Sequence, residues 1–145
     1  MDNIGEILNR KGRNVYTIPP DATVFEAVQS MCMRRVGALL VSIDGSPSGI
    51  ISERDVMARV ILARRDPAET PVAEVMTCEV VCVEPSTPAR QAMAVMTERR
   101  CRHLPVVQDG RVVGMISIGD LVHWISREQE FEIRMLTEYV QGVYS

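Results

Sequence analysis

Two stretches of this chain carry nearly the same residues in the same order, and that repeat constrains the architecture more than any other feature. Residues 20–56 align with 85–121 at a constant offset of 65, without a gap. Identical pairs include Pro20/Pro85, Ala27/Ala92, Met31/Met96, Arg34/Arg99, Arg35/Arg100, Leu39/Leu104 and Val41/Val106. The series continues through Asp44/Asp109, Gly45/Gly110, Gly49/Gly114, Ile51/Ile116, Ser52/Ser117 and Asp55/Asp120. A unit this short cannot bury its own apolar face alone and normally does so against its copy. The chain therefore reads as one domain of two pseudo-symmetric halves.

Bulk properties narrow the function. With 145 residues, 46% of them hydrophobic, the chain can build one sizeable core and little more. A net charge of −3 gives no reason to expect nucleic acid or an acidic membrane as partner. No apolar run reaches the roughly 18–20 residues of a membrane span, and the first ten residues lack the layout of a secretion signal, so a cytoplasmic protein is expected. Cys32, Cys78, Cys82 and Cys101 form no Cys-x-x-Cys pair, and only His103 and His123 could join them. Zinc spacing is absent, and the thiols are expected to be reduced and at least half-buried.

Each copy opens with a β-type run, Val15-Tyr16-Thr17-Ile18 or Val80-Val81-Cys82-Val83. A helix follows in each. Thr23-x-x-Glu26 has the form of a capping box, and Thr87-Pro88 suggests a cap with proline at the first helical position. Val24, Ala27, Val28 and Met31 share one helical face, as do Ala89, Ala92, Met93 and Met96. Each helix ends in an arginine pair that suits the helix dipole but reads as a solvated end. Two apolar strands then flank Asp44-Gly45 or Asp109-Gly110, a strong hairpin signal. A second helix begins near Glu53 and Ile118, giving β-α-β-β-α. The expected layout is a lead-in with a short helix over 1–14, repeat 1 over 15–63 and a linker over 64–74. Repeat 2 spans 75–125, and a C-terminal helical extension 126–145.

The end of each unit carries the chemistry: Gly49-Ile50-Ile51-Ser52-Glu53-Arg54-Asp55 and Gly114-Met115-Ile116-Ser117-Ile118-Gly119-Asp120. Serine at a strand end, with aspartate three residues on, puts a hydroxyl and a carboxylate at a helix N-terminus. Free N–H groups there attract phosphate, and a carboxylate accepts hydrogen bonds from ribose hydroxyls. The same spacing also makes an ordinary capping box. Spacing alone leaves both open.

The doubled β-α-β-β-α unit with its Gly-apolar-apolar-Ser-x-x-Asp end resembles the CBS domain, and the tandem resembles a CBS pair, or Bateman module. The likeness covers about residues 15–124, and the second copy matches more closely, through Arg102-His103-Leu104-Pro105-Val106-Val107. The resemblance implies an α/β (α+β) fold of two repeats packed through a pseudo-twofold axis. It also implies a regulatory module, not an enzyme, that binds AMP, ADP, ATP, NAD(H) or S-adenosylmethionine in two clefts. Carried onto this chain, one cleft takes Ser117, Gly119, Asp120, Arg102 and His103, with Tyr16, Gly37 and Ala38 opposite. The other takes Ser52, Arg54 and Asp55, with Val81 opposite. Gly37-Ala38 stands where the second copy has Arg102-His103, so the second of these clefts lacks that positive charge, relies on Arg54 as a substitute, and is expected to be the weaker or differently selective site.

No metal or catalytic residue is implied. A catalytic barrel needs at least ~200 residues, which this chain lacks room for. An adaptor with one or both clefts unused is the competing possibility. Beyond the repeat, Phe131, Met135, Leu136, Tyr139 and Val140 form an apolar stripe that needs a partner. A sister chain in a homodimer is expected; packing back on the module is the alternative. A regulated protein is a further expected partner.

Overall fold

The computed structural model describes residues 2–44 and 46–144, with side chains through Val140. Gly45, the second residue of the first expected Asp-Gly turn, lies outside the described residues.

Helix α1 spans Ile4–Lys11, and Asn3 caps it by accepting from Glu6 N at 3.0 Å. In repeat 1, α2 (Val24–Arg34) starts at Thr23, whose Oγ1 accepts from Glu26 N at 3.1 Å. It buries Val24, Ala27 and Met31 at helical spacing. In repeat 2, α4 (Ala89–Arg99) buries the equivalent Ala89, Ala92 and Met96 but starts differently. Thr87 is not its cap; Thr87 Oγ1 turns back to Glu84 N, 3.2 Å away, and Pro88 takes the cap position. The first N–H of α4, on Ala89, bonds the carbonyl of Asp2 instead, at 3.1 Å.

Hairpins follow both helices. Strand β1 is Thr17–Ile18, β2 is Ala38–Ile43 and β3 is Ser46–Ser52, in the order β1-β2-β3. In repeat 2, β4 (His103–Gln108) pairs with β5 (Arg111–Ser117). Both hairpins carry a bulge at the same place, after Val41 and after Val106. Asp109 and Gly110 both have positive φ (52° and 76°), the type I′ geometry that matches strand twist. The expected opening strand of repeat 2 shrinks to one parallel bridge, Val83 to Val106. Proline explains the loss. Leu40 N bonds Tyr16 O at 3.0 Å in repeat 1, but its counterpart Pro105 has no N–H to give.

The two cores are built crosswise. The core of repeat 1 holds Leu39, Val41, Ile51 and Val60 together with Val72 and Val75, which precede repeat 2. The core of repeat 2 holds Leu104, Val106, Ile116 and Leu121 together with Ile4, Ile7 and Leu8, which precede repeat 1. Backbone bonds repeat the exchange: Ile4 N to Thr87 O and Gly5 N to Pro85 O match Val72 N to Ala22 O and Ala73 N to Pro20 O. Part of the expected linker is thus core, since Thr70 and Val72 are buried. The crossing also explains the repeated glycine. A Cβ on Gly49 would lie 2.7 Å from Thr77 O, and one on Gly114 would lie 2.7 Å from a Leu8 methyl.

Helix α3 (Glu53–Val56) runs into a π-helical turn, Met57–Ile61, whereas its counterpart α5 continues over Ile118–Tyr144. Leu121 finishes the core, and Trp124 donates to Asp2 Oδ2 at 2.7 Å. Beyond them, Phe131, Ile133, Met135, Leu136, Tyr139 and Val140 are all exposed, so the stripe does not fold back on its own module. Among the described residues, no helix is long and apolar enough to cross a membrane. The cysteines are free but less buried than expected: Cys32, Cys78 and Cys82 are exposed and Cys101 is half-buried.

Gly49→Ala is expected to cost about 1–3 kcal/mol, because the obstacle is a backbone oxygen that cannot rotate away. Gly119→Ala, whose Cβ would meet only Ser117 Oγ at 3.6 Å, should stay within about 0.5 kcal/mol of the parent. Urea denaturation of the three proteins measures both.

Candidate functional site

Both Ser-x-x-Asp ends form reciprocal caps. Ser52 N donates to Asp55 Oδ2 at 2.9 Å, and Asp55 N donates to Ser52 Oγ at 3.4 Å. Ser117 N donates to Asp120 Oδ2 at 2.8 Å, and Asp120 N donates to Ser117 Oγ at 3.1 Å. The capping geometry holds each carboxylate at a helix start and consumes one of its oxygens. The second oxygen differs between copies. Asp55 is buried, and its Oδ1 accepts from Thr77 Oγ1 at 3.0 Å. Among the described residues, Asp120 Oδ1 accepts no hydrogen bond.

Each aspartate opens into a cleft. A cavity of about 480 Å³ brings together Ser117, Gly119, Asp120, Arg102 and His103 with Tyr16, Gly37 and Ala38. A second, of about 490 Å³, brings together Ser52, Arg54, Asp55 and Val81. Volumes near 500 Å³ suit small organic ligands. Gly37, Glu53, Arg102 and His103 border both cavities. A side chain at Gly37 would overlap the Glu53 carboxylate, so this glycine lets Glu53 lie against the backbone between the clefts.

The expected charge deficit of the Asp55 cleft is not found. Arg54, Arg99, Arg100 and Arg102 face Glu53, Asp55 and Glu79 there, while Lys11, Arg34, Arg35 and Arg102 face Glu53 and Asp120 in the other. The arginine pairs are exposed, yet they line the clefts and are more than solvated helix ends. Arg35 and Arg100 adopt the left-handed conformation (φ 55° and 54°) at the ends of α2 and α4. Glycine is the relaxed choice there, by about 1 kcal/mol. Both copies carry arginine instead, Arg35 lining one cleft and Arg100 the other.

His103 is not the cation that the sequence suggested. Burial pushes its imidazole below the ordinary value of 6.5, against the pull of Glu53, and nearby Lys11 adds to the lowering. At neutral pH it offers a hydrogen-bonding ring without charge. Tyr16 is partly committed as well: the Arg34 guanidinium sits 4.3 Å from its ring centroid and covers one face.

Three contributors had no local signal in the sequence. Lys11 Nζ donates to Asp120 Oδ2 and to Met115 O, each at 2.6 Å, from 109 and 104 residues away. Thr77 reaches Asp55 across 22 residues, and Glu53 lines both clefts. Only the crossing of the two leading segments brings Lys11 and Thr77 to the aspartates. Among the described residues, no group of three His, Cys, Asp or Glu side chains could hold a metal ion.

Comparison with known proteins agrees with this architecture. The CBS domain family model matches twice, over residues 4–62 and 72–127. The chain is 37% identical over 150 residues to the CBS domain-containing protein CBSX3, mitochondrial, of Arabidopsis thaliana, covering 97% of this chain and 73% of that protein. A solved protein with CBS domains from Burkholderia ambifaria MC40-6 superposes with a TM-score of 0.84 at 41% identity, over 88% of this chain and 96% of that one. A CBS domain protein of Pyrobaculum aerophilum, solved in complex with AMP, superposes with a TM-score of 0.72 at 27% identity, over 81% and 88%. The chain belongs to the CBS domain family and carries that domain twice in tandem.

Proposed function

We propose that this chain is a regulatory module that binds adenine nucleotides, AMP, ADP, ATP or NAD(H), and performs no chemistry of its own. The Asp120 cleft carries the argument. It sets a carboxylate with an uncommitted oxygen, suited to ribose hydroxyls, beside a surplus of cations suited to phosphate. Ser117 and the open backbone at Gly119 leave room at the start of α5 for an anionic group. The AMP complex of the Pyrobaculum relative supports the adenosine assignment. The Asp55 cleft is the weaker site in this scheme, because Thr77 already occupies the oxygen that a ribose would use.

Asp120→Ala should weaken AMP binding roughly tenfold or more, the worth of hydrogen bonds to a charged group. Asp55→Ala should leave the tighter site intact. Calorimetry with AMP, ATP and NADH decides the matter, and an Asp120→Ala titration matching the parent would defeat the assignment.

His103 gives the module a pH signature. Because folding lowers its pKa, the unfolded chain takes up the proton first as pH drops below 6.5. Its contribution to stability is therefore complete above 6.5 and is lost as pH falls toward the lowered folded value. Denaturant midpoints of the parent and His103→Gln should diverge between pH 7 and 5, with the parent losing more.

We also infer a homodimer that uses the exposed stripe of α5, which is too large an apolar surface for an isolated soluble chain. Light scattering should show a dimer for the intact chain and a monomer after truncation at Ser126. A dimer surviving truncation would remove the helix from the interface.

A further inference from the structure

A carboxylate that accepts from ribose hydroxyls creates a problem for a neighbouring phosphate, because the two anions repel. The chain answers that problem differently in its two clefts. In the Asp55 cleft the leading segment crosses as an extended backbone: Thr77 N bonds Ile50 O at 2.8 Å, and Thr77 Oγ1 bonds Asp55 Oδ1. In the Asp120 cleft, α1 runs past the crossing, and the Lys11 side chain takes over the carbonyl and meets the aspartate on its capping oxygen instead. Its ammonium bonds Met115 O, the counterpart of Ile50 O, and Asp120 Oδ2. A neutral hydroxyl in one cleft is thus replaced by a full positive charge in the other.

We propose that Lys11 is the charge-selecting residue of the Asp120 cleft, making that cleft specific for phosphorylated adenosine over adenosine itself. The proposal rests on the nucleotide assignment above. Nζ spends two of its three N–H donors on Asp120 and Met115, and the remaining one belongs to a side chain still about one-third exposed (35%) in the cleft. The ammonium cancels the charge of Asp120, so the guanidiniums of Arg34, Arg35 and Arg102 retain a surplus over Glu53. Without Lys11, Asp120 would oppose the phosphate while remaining a good acceptor for ribose. Phosphate binding depends on Lys11, and nucleoside binding does not.

The test is calorimetry of the full chain with AMP and with adenosine, directly or by competition, in the parent, Lys11→Gln and Lys11→Arg. Circular dichroism melts check that each variant folds. Lys11→Gln should lower the preference for AMP over adenosine by roughly tenfold, the cost of one charge-assisted contact. Adenosine affinity should hold or rise as Asp120 is released, and Lys11→Arg should keep the preference. Equal losses for both ligands would show that Lys11 only supports the fold and would overturn the proposal. An unchanged preference would overturn it too, with the nucleotide assignment intact. A parent chain that binds neither ligand would instead remove the nucleotide assignment, and this inference with it.

Discussion

The crossing of the two leading segments is the interaction on which the rest depends. Neither repeat closes its own core: Val72 and Val75 seal the first, and Ile4, Ile7 and Leu8 seal the second. Burying side chains of this size stabilises a fold by about 1.5–3 kcal/mol each, so neither half is expected to stand alone. The crossing also sets the site, because the segments that seal the cores pass directly over Gly49 and Gly114. They then deliver Thr77 and Lys11 to the aspartates three residues beyond each strand end. Core and cleft are parts of one arrangement, and a side chain at either glycine disturbs both.

The Ser-x-x-Asp ends show how one motif serves fold and ligand together. Spacing alone offered a helix cap or a nucleotide acceptor, and the cap is present in both copies. Capping consumes Oδ2 and fixes the carboxylate's direction, which is a form of preorganisation. A side chain already locked needs no further ordering when a hydroxyl binds its other oxygen. What separates the copies is the fate of that other oxygen, and this depends on residues far away in sequence.

Much of the fold was legible because the repeat doubles every local signal. Helices at Thr23 and Ala89, hairpins at the Asp-Gly turns and the membership of the two Ser/Asp ends all follow from short-range pattern. The failures share a cause in long-range or single-atom detail. Pro105 removes one N–H, and the strand pairing of residues 80–83 goes with it. Asp2, 87 residues before Ala89, accepts the Ala89 N–H in place of a Thr87 cap. His103 reads as basic in a string of letters, yet its burial pushes the imidazole pKa below the ordinary value and favours the neutral ring. The arginine pairs look like ordinary helix ends until the left-handed turn at Arg35 and Arg100 places them beside the cavities.

The same helix that brings Lys11 to the cleft also seats the root of α5. Just before its N-terminus, Asp2 accepts from Trp124 Nε1 at 2.7 Å, and from its last turn the Arg10 guanidinium lies 5.2 Å from the Trp124 ring centroid. At its C-terminal end, Lys11 holds Asp120, the third residue of α5. An eight-residue helix is about 12 Å long. Helix α1 and its lead-in therefore hold α5 at two points, Asp120 and Trp124. The exposed apolar stripe begins at Phe131, two turns beyond Trp124 on the same continuous helix. Cleft and stripe are joined by two packed helices with no flexible loop between them. Repeat 1 lacks that continuity because its helix ends in the π-helical turn at Met57–Ile61, so the Asp120 cleft is the one whose own helix runs on into the stripe.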